Sequence, residues 1–467
     1  MELNQLTIQE AREGLKKEKF SSEELTKACL RQVKKLDKKI NAFITVCEKE
    51  ALEQAREADK IKSDKPLWGI PIGIKDIYST RGIKTTAGAR VLDDYIPVYD
   101  ATAVKRLKEA GAIVLGKTNM DAWAHGASGE NSDYGPTKNP WNLEYVPGGS
   151  SSGSGAALAS AMCLAATGTD TGGSIRQPAS FCNLVGLKPT YGRVSRYGII
   201  AMASSLDSIG HFTRSVTDSA LILGVTAGQD SFDATTPDIP VSDYLKNIKK
   251  GVKGLKIGIP KEYFLSSLDK DVKKTIEKVL EKFESLGAKL ISVSLPHTSD
   301  ALAVYYIIQP AEVSSNLARY DGIRYGFPRD RFSDEAKRRI MLGTFTLSTG
   351  YYEAYYLKAM RVRTLIKEDF NQAFNQVDVL ITPVSPTPAF KLGEKIDDPL
   401  KMYLSDVLTV TANLAGLPGL AIPAGFVKGL PVGIQILGPQ FSEELLFRTG
   451  YAYEQATKWY QRRPKIE

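Results

Sequence analysis

The sequence predicts an α/β fold with a mixed central β-sheet, helices on both faces and an N-terminal helical layer. The first observation is a helix-like segment, Ala101 to Ala110, that ends at Gly111. The apolar, β-branched segment Ala112 to Lys117 follows it, as is typical of a buried parallel strand. The second is that this strand–helix alternation restarts at Gly254. The third is that no low-complexity linker divides the 467 residues, which favours one domain.

Two capping boxes predict the N-terminal helices. Thr7 and Glu10 have the required spacing, and so do Ser21 and Glu24. The second helix carries an apolar stripe that must pack on a larger core, consisting of Leu25, Cys29, Val33 and Leu36.

The next elements lead to a lysine. A helix-like segment, Ala51 to Ala58, precedes an apolar run that contains Pro71 and Gly73 and ends at Lys75. This pattern predicts a buried strand that delivers its last residue into a site. Farther on, we expect Asp100 to cap the helix that begins beside it.

The C-terminal two thirds mix turns, helices and strands. The Gly, Pro and Tyr content of Leu187 to Gly198 predicts a turn near the pocket, and we expect Ser204 to Thr213 to form another. An inserted α/β lobe is expected over residues 254–295. The other predicted helices are Val216 to Gly228, Ser299 to Arg319, Asp334 to Phe374 and Ser442 to Trp459, and the other strands are Val377 to Pro383, Gly419 to Pro423 and Val432 to Leu437.

Composition indicates a soluble globular protein. No apolar run approaches the ~18 residues that a membrane span needs, and the N-terminus lacks the apolar core of a signal peptide, so we expect a cytoplasmic protein with no membrane contact. The formal charge of +8 is compatible with a nucleic-acid-handling assembly without requiring one. The four cysteines form no C-x-x-C pair, so we expect reduced packing residues and no metal site.

The chemistry is concentrated between Pro147 and Ser180. Ser150 follows two glycines directly, and Ser174 does the same, 24 residues later. Each hydroxyl therefore stands where the backbone can turn tightly and a ligand can come close. The Ala-rich run between them, Gly155 to Ala166, suits a closely packed helix that passes into a short strand.

A nucleophilic serine needs a base, and a histidine is the usual one. The three histidines, His125, His211 and His297, all lie outside the glycine loops, whereas Lys75 ends the buried strand. A buried lysine with a lowered pKa can accept a proton at neutral pH. The residues also permit other interpretations: the glycine-rich run could be a flexible loop or a phosphate cradle, although no P-loop lysine follows it, and Lys75 could merely cap its strand.

These residues predict acyl transfer. Ser174 would attack an acyl carbon, and Ser150 would carry its proton toward Lys75. The successive backbone N–H groups of Thr171, Gly172, Gly173 and Ser174 would stabilise the oxyanion.

The motifs resemble those of the amidase signature enzymes. The resemblance rests on G-G-S-S-S-G-S-G at 148–155, G-T-D-T-G-G-S-I-R-Q-P-A at 168–179 and I-P-I-G-I-K-D at 70–76. It implies one amidase domain over residues 1–467 with its signature region at 147–180. It also implies a Ser–cis-Ser–Lys triad made of Ser174, Ser150 and Lys75, with a cis peptide before Ser150.

Within this family the chain resembles, over nearly its whole length, the glutamine-hydrolysing subunits of bacterial tRNA-dependent amidotransferases. Segments such as D-G-I-R-Y-G at 321–326 and N-L-A-G-L-P-G at 413–419 carry this resemblance. It implies a heterotrimer with B and C subunits that converts Glu-tRNA(Gln), and in some cases Asp-tRNA(Asn), with ammonia from glutamine. No cofactor or metal is then expected in this chain, because ATP and Mg²⁺ serve the partner's step.

The resemblance also implies a glutamine pocket. Asp406 would bind the α-ammonium group and Arg339 the α-carboxylate, with Tyr305 as a further contact; Arg338 is the rival of Arg339. His125 stands where the family pattern leads us to expect an apolar residue. The alternative functions are a free-standing amidase on another small amide and a non-catalytic scaffold subunit.

Overall fold

The apolar segments of the sequence form the strands of one sheet. The computed structural model describes residues 2–61, 63–264, 266–324 and 326–466. Within them the strands are β1 (Phe43–Val46), β2 (Ile70–Lys75), β3 (Ala112–Thr118), β4 (Ala165–Asp170), β5 (Val185–Lys188), β6 (Ser208–Thr213), β7 (Lys256–Pro260), β8 (Lys289–Val293), β9 (Val379–Pro383), β10 (Gly419–Val427) and β11 (Leu430–Leu437). Their order across the sheet is β1-β3-β2-β4-β6-β5-β10-β11-β9-β7-β8.

The sheet is mixed, as the sequence predicts. Strand β2 pairs in parallel with both β3 and β4, whereas the centre, from β4 through β6, β5 and β10 to β11, is antiparallel. Strands β7 and β8 are parallel to each other, and β7 pairs with β9. Residues 254–295, expected as an inserted lobe, therefore extend the main sheet at one edge.

Helices follow most strands. They are α1 (Ile8–Lys16), α2 (Ser22–Ile40), α3 (Glu48–Lys60), α4 (Thr102–Glu109), α5 (Ser152–Ala159), α6 (Arg176–Cys182), α7 (Val216–Thr226), α8 (Lys270–Ser285), α9 (Ala301–Asn316), α10 (Asp334–Thr346), α11 (Lys358–Phe374), α12 (Pro399–Tyr403), α13 (Val410–Leu414) and α14 (Glu443–Thr457). Both capping boxes are present, at Thr7 before α1 and at Ser21 before α2.

Helices cover both faces of the sheet. On β11, Gly433 lies against Ser180 of α6, and Ile436 lies against Gly450 of α14. These two strand residues are three positions apart, so they point to opposite faces. Helices α6 and α14 therefore belong to different layers, and the shared core of the protein lies between each layer and the sheet.

Three local expectations are wrong. The predicted helix Asp334 to Phe374 is interrupted, because α10 ends at Thr346 and the next helical segment begins at Tyr352. The segment Ser204 to Thr213 was expected as a turn, but its last six residues form the buried central strand β6, because β4 and β5 pair with its two sides. Asp100 does not cap α4, whose N-cap is Ala101. Its carboxylate accepts hydrogen bonds from the backbone of Arg81 and from Lys108 Nζ instead, both at 2.8 Å.

Two further observations concern the cysteines and the helices. Cys29, Cys47, Cys163 and Cys182 are all buried and unbridged, as expected. Across the described ranges, we find no helix whose length and apolarity would let it cross a bilayer.

Candidate active site

Strand β2 carries Lys75 into the centre of the protein. All six residues of the strand are buried, because β3 and β4 pair with its edges and helices α2 and α5 pack against it. The Lys75 amine contacts three hydroxyls, with Nζ–Oγ distances of 2.9 Å to Ser150 and 2.9 Å to Ser151 and a Nζ–Oγ1 distance of 2.7 Å to Thr169. The predicted base and the predicted bridging serine are therefore in direct contact.

Burial gives Lys75 the properties of a base. Desolvation lowers the pKa of its amine to about 7, although the charges of Asp121, Asp170 and Asp207 act in the opposite direction. A neutral amine has two N–H donors and one lone pair. The hydroxyl of Ser151 is donated to the carbonyl of Thr169 at 3.2 Å, so Ser151 must accept from Lys75. Ser150 is then a suitable donor to the lone pair.

The Ser150 loop packs against the buried residue Asp121. The peptide between Gly149 and Ser150 is cis, as the resemblance implies. The backbone N–H of Asp121 donates to the carbonyl of Ser150 at 3.2 Å, and the Asp121 carboxylate accepts from the backbone of Gly129 and Asn131. A Cβ at Gly149 would lie 2.0 Å from Asp121 Oδ2, so only glycine fits there.

The Ser174 loop is shaped by a buried ion pair between β4 and α6. The carboxylate of Asp170 accepts from the backbone N–H groups of Gly173 at 2.8 Å and of Ile175 at 3.1 Å, and it pairs with Arg176 at 3.0 Å. Burial would raise the pKa of Asp170, but the Arg176 charge and its hydrogen bonds hold that pKa below its ordinary value. The carboxylate therefore stays ionised and keeps the loop folded.

The two serine loops meet. The backbone N–H of Ser151 donates to the carbonyl of Ser174 at 3.3 Å. Ser150 is fully buried, whereas Ser174 is 9% exposed. The predicted nucleophile is thus the more exposed of the two serines, and its loop is bonded directly to that of the predicted relay.

The predicted oxyanion donors are not equivalent. The N–H of Gly173 is already donated to Asp170. For Thr171, Gly172 and Ser174, the described residues supply no acceptor to the backbone N–H. These three groups remain available for a developing negative charge.

A C-terminal segment packs on the same loop. Thr409 Oγ1 donates to the carbonyl of Gly172 at 2.5 Å, and Asn413 Nδ2 donates to the carbonyl of Asp170 at 2.9 Å. The backbone N–H of Thr409 also donates to the carbonyl of Asp406 at 2.9 Å. This turn brings Asp406 close to the Ser174 loop.

Asp406, predicted to bind the α-ammonium group, and Tyr305, predicted as a further substrate contact, line one side of this region. The Tyr305 ring lies against Gly172, where a Cβ would be 2.8 Å from its Cζ atom. The neighbouring Tyr306 donates its hydroxyl to Asp406 Oδ2 at 3.0 Å. Burial raises the pKa of the Asp406 carboxyl to about 7, so an incoming cation would stabilise its ionised form.

The structure separates the two candidate arginines. Arg338 is exposed on α10 and pairs with Glu335. Arg339 is buried: its Nε donates to Glu335 at 2.7 Å and its Nη1 donates to Gln309 Oε1, while its guanidinium lies over the rings of Tyr306 and Tyr403. Only Arg339 belongs to the same cluster as Asp406.

The sequence does not predict several of the residues at this site. Ser151 and Thr169 stand beside predicted residues in the signature motifs, so their positions could have indicated them. Tyr306, Gln309 and Thr409 carry no local signal, because their roles depend on contacts between distant segments.

The histidines are distributed as follows. His211 bonds to Ser219 at 2.8 Å, and His297 pairs with Asp369 at 3.0 Å, both away from the serine loops. Neither ring nitrogen of the buried His125 has a partner among the described residues.

A lysine linked to two serine loops at the centre of a mixed α/β sheet is the arrangement of a serine amidase. The comparison with known families agrees: the amidase family profile matches residues 24–447, and the chain belongs to this family.

Relatives with curated names match over the whole chain. A protein of Geobacter metallireducens, named as the A subunit of glutamyl-tRNA(Gln) amidotransferase, is 54% identical, with 100% of both chains covered. A protein of the same name from Carboxydothermus hydrogenoformans is also 54% identical over 100% of both chains.

Solved structures share the fold. The crystal structure of the A subunit of glutamyl-tRNA(Gln) amidotransferase from Thermotoga maritima is 44% identical with a TM-score of 0.87, and the match covers 100% of this chain and 99% of that one. A bacterial aryl acylamidase of the amidase signature family has the same TM-score of 0.87 at 26% identity, and the match covers 98% of this chain and 97% of that one.

Proposed function

We propose that this chain hydrolyses L-glutamine through an acyl-enzyme at Ser174 and supplies the ammonia to a tRNA-dependent amidotransferase. The observation that carries the proposal is the contact of the buried Lys75 amine with Ser150, whose loop is bonded to the loop of the more exposed Ser174. The full-length similarity to proteins named as A subunits of glutamyl-tRNA(Gln) amidotransferase supports the choice of substrate.

The acylation step follows from the proton path. Ser174 Oγ forms a bond to the amide carbon of glutamine, its proton moves to Ser150 Oγ, and the Ser150 proton moves to the neutral Lys75 amine. The oxyanion accepts hydrogen bonds from the free backbone N–H groups of Thr171, Gly172 and Ser174. When the C–N bond breaks, Lys75 returns the proton through Ser150 to the leaving nitrogen, which departs as ammonia.

Deacylation uses the same groups. A water molecule attacks the glutamyl ester, its proton passes through Ser150 to Lys75, and the proton then returns to Ser174 Oγ as glutamate leaves. In this scheme Lys75 is neutral at the start of each half-reaction, so a pKa of about 7 suits it to both.

The substrate's two charged ends select opposite groups. The Asp406 carboxylate binds the α-ammonium ion, and Arg339 binds the α-carboxylate with the N–H groups that Glu335 and Gln309 leave free. Tyr305, which lies on Gly172, closes the pocket beside the reacting carbonyl.

The assembly is the remaining part of the proposal. The names of the relatives support a complex with further subunits, here B and C, of which one uses ATP and Mg²⁺ to amidate Glu or Asp on its tRNA with the ammonia made by this chain. The chain itself then needs neither metal nor nucleotide, and the complex acts in the cytoplasm where charged tRNA is found.

The test is ammonia release from glutamine by the purified chain, alone and then with B and C subunits, ATP and charged tRNA. We expect strong stimulation by the full mixture and no ammonia from the Ser174→Ala chain. Turnover of unrelated amides without any response to the partners would instead identify a free-standing amidase. If an acyl-directed phosphonate fails to label the assembled complex at Ser174, the chain is a scaffold.

A further inference from the structure

His125 is a buried side chain that the fold does not use. It is 0% exposed, and neither Nδ1 nor Nε2 has a hydrogen-bond partner in the described part of the chain. Its backbone is well held, because its N–H donates to the carbonyl of Ala122 at 2.9 Å and its carbonyl accepts from Asn131 Nδ2 at 2.6 Å. A buried polar group without a partner destabilises the folded state, so an unpaired imidazole held in this way needs an explanation.

A second unpaired donor, Gln309 Nε2, lies beside Arg339. Gln309, on α9, is 0% exposed; its Oε1 accepts from Arg339 Nη1, whereas its Nε2 has no partner among the described residues. The positive charge of Arg339 also acts on His125, where it adds to the effect of burial in lowering the imidazole pKa well below its ordinary value. Gln309 therefore contacts Arg339 directly, and His125 lies within range of its charge on a segment that is tied through Asn131 and Asp121 to the Ser150 loop.

We propose that His125 and Gln309 complete, with Arg339, a three-residue subsite for the α-carboxylate of the substrate. The imidazole N–H of His125 and the Nε2–H of Gln309 donate to the carboxylate oxygens that Arg339 holds. This inference rests on the proposed function, because it takes glutamine as the substrate and Arg339 as its carboxylate ligand.

The chemistry of the groups fits this role. A carboxylate offers about four acceptor sites, more than one guanidinium with two side-chain acceptors already bound can fill. A neutral imidazole carries one N–H at either nitrogen. Because His125 is neutral, it donates without placing a second positive charge beside Arg339. The carboxylate would satisfy both groups at once, and a substrate without it would leave both unpaired.

A structural role of His125 and its proposed role in substrate binding predict different effects of a substitution on stability. If His125 held the fold, its replacement by an apolar side chain of similar length would destabilise the protein. Since its ring has no partner to lose, we expect His125→Met to unfold at the same temperature as the parent or at a higher one.

The experiment measures binding without turnover. The full-length Ser174→Ala chain is titrated with L-glutamine by calorimetry, with and without His125→Met. We expect His125→Met to raise the Kd by about tenfold to a hundredfold, the range for hydrogen bonds to a charged group. His125→Asn, which keeps an N–H donor, should recover part of the loss. His297→Met is the matched control and should leave the Kd unchanged, because His297 lies with Asp369 away from the site.

The outcomes are separable. If the Ser174→Ala chain binds glutamine and His125→Met binds it equally well, the subsite proposal is overturned while the proposed function stands. If the Ser174→Ala chain binds no glutamine, the proposed function fails and the subsite with it. Gln309→Glu gives a second test that does not depend on how His125→Met folds: it keeps Oε1 on Arg339 but removes the donor, so unchanged affinity would also contradict the proposal.

Discussion

Lys75 can accept a proton only while its amine is neutral. Burial lowers its pKa to about 7, so the protonated form predominates below that pH. We expect the rate of labelling of Ser174 by a neutral acyl-directed phosphonate to fall about tenfold for each pH unit below 7 and to level off above it. A neutral probe avoids the titration of Asp406, and Lys75→Ala should show no inflection. A wild-type rate that stays constant from pH 5 to 8 would exclude Lys75 as the base.

The same shift affects stability with a definite sign. The folded-state pKa of Lys75 is about 7 against an ordinary value of 10.5, so the unfolded chain binds more protons between these values. The contribution of Lys75 to the free energy of unfolding therefore rises with pH across this window. In Lys75→Met this part of the pH dependence should disappear.

Asp406 should act on the substrate's ammonium group rather than on the reaction itself. Asp406→Asn keeps the shape of the side chain and removes the charge, so we expect the KM for glutamine to rise about tenfold or more with a smaller change in kcat. The matched measurement uses a simple primary amide that lacks the α-ammonium group. An equal loss with both substrates would show that Asp406 supports the fold of the pocket instead.

At the scale of elements, the loop between β4 and α6 has no room for a side chain at Gly173. Its φ is +137°, and a Cβ would lie 2.4 Å from Thr409 Oγ1. We expect Gly173→Ala to destabilise the chain by about 1–3 kcal/mol and to abolish ammonia release, because the loop must move away from Thr409.

Gly224 provides the control for this substitution. It lies in α7 with nothing within 4 Å of an added Cβ. Gly224→Ala should stabilise the protein by about 0.5–1 kcal/mol and leave activity unchanged. Full activity in Gly173→Ala would mean that the loop is more adaptable than its contacts indicate.

The sequence predicted those elements whose signals are local. The capping boxes of Thr7 and Ser21 specify helix starts by side-chain spacing alone, and β2 and β3 are apolar enough to be recognised without knowing their neighbours. Strand β6 was missed because Gly210 and the surrounding serines resemble a turn, and only its pairing with β4 and β5 makes it a strand.

The site divides in the same way. Lys75, Ser150 and Ser174 lie in contiguous motifs, so the sequence could indicate them and the structure brings their segments together. Thr409 and Gln309 reach the site from distant segments through tertiary packing, which no local pattern encodes. Only the structure shows that the backbone N–H of Gly173 is already bonded to Asp170 and is therefore not free to bind an oxyanion.

At the scale of the whole molecule, the buried cation Arg176 links segments that lie far apart in the sequence. Arg176 bonds to Asp170 of β4, to the Gln435 amide of β11 at 2.7 Å and to the carbonyl of Thr409 at 3.0 Å. We expect Asp170→Asn to lower the free energy of unfolding by about 3–5 kcal/mol, because it leaves Arg176 buried without its counter-charge. Chemical denaturation monitored by fluorescence would measure this loss.

An exposed ion pair serves as the reference for that measurement. Lys60 and Glu57 interact at 2.6 Å on the surface of α3. Glu57→Gln should change the free energy of unfolding by less than about 1 kcal/mol. If the two substitutions change the free energy of unfolding by similar amounts, the buried Asp170–Arg176 pair contributes no more to stability than an exposed pair.

The large sequence separation within this network also has a consequence for synthesis on the ribosome. Asp170 and its donor Asn413 are 243 residues apart in the chain. At roughly 5–20 residues per second, about 12 to 50 s of synthesis separate the two. A nascent chain therefore carries Ser174, the proposed nucleophile, long before the segment that fixes the surrounding loop emerges. Under the proposed function, unfinished chains should consume no glutamine, and ammonia release should begin only after the C-terminal segment has folded onto the Ser174 loop.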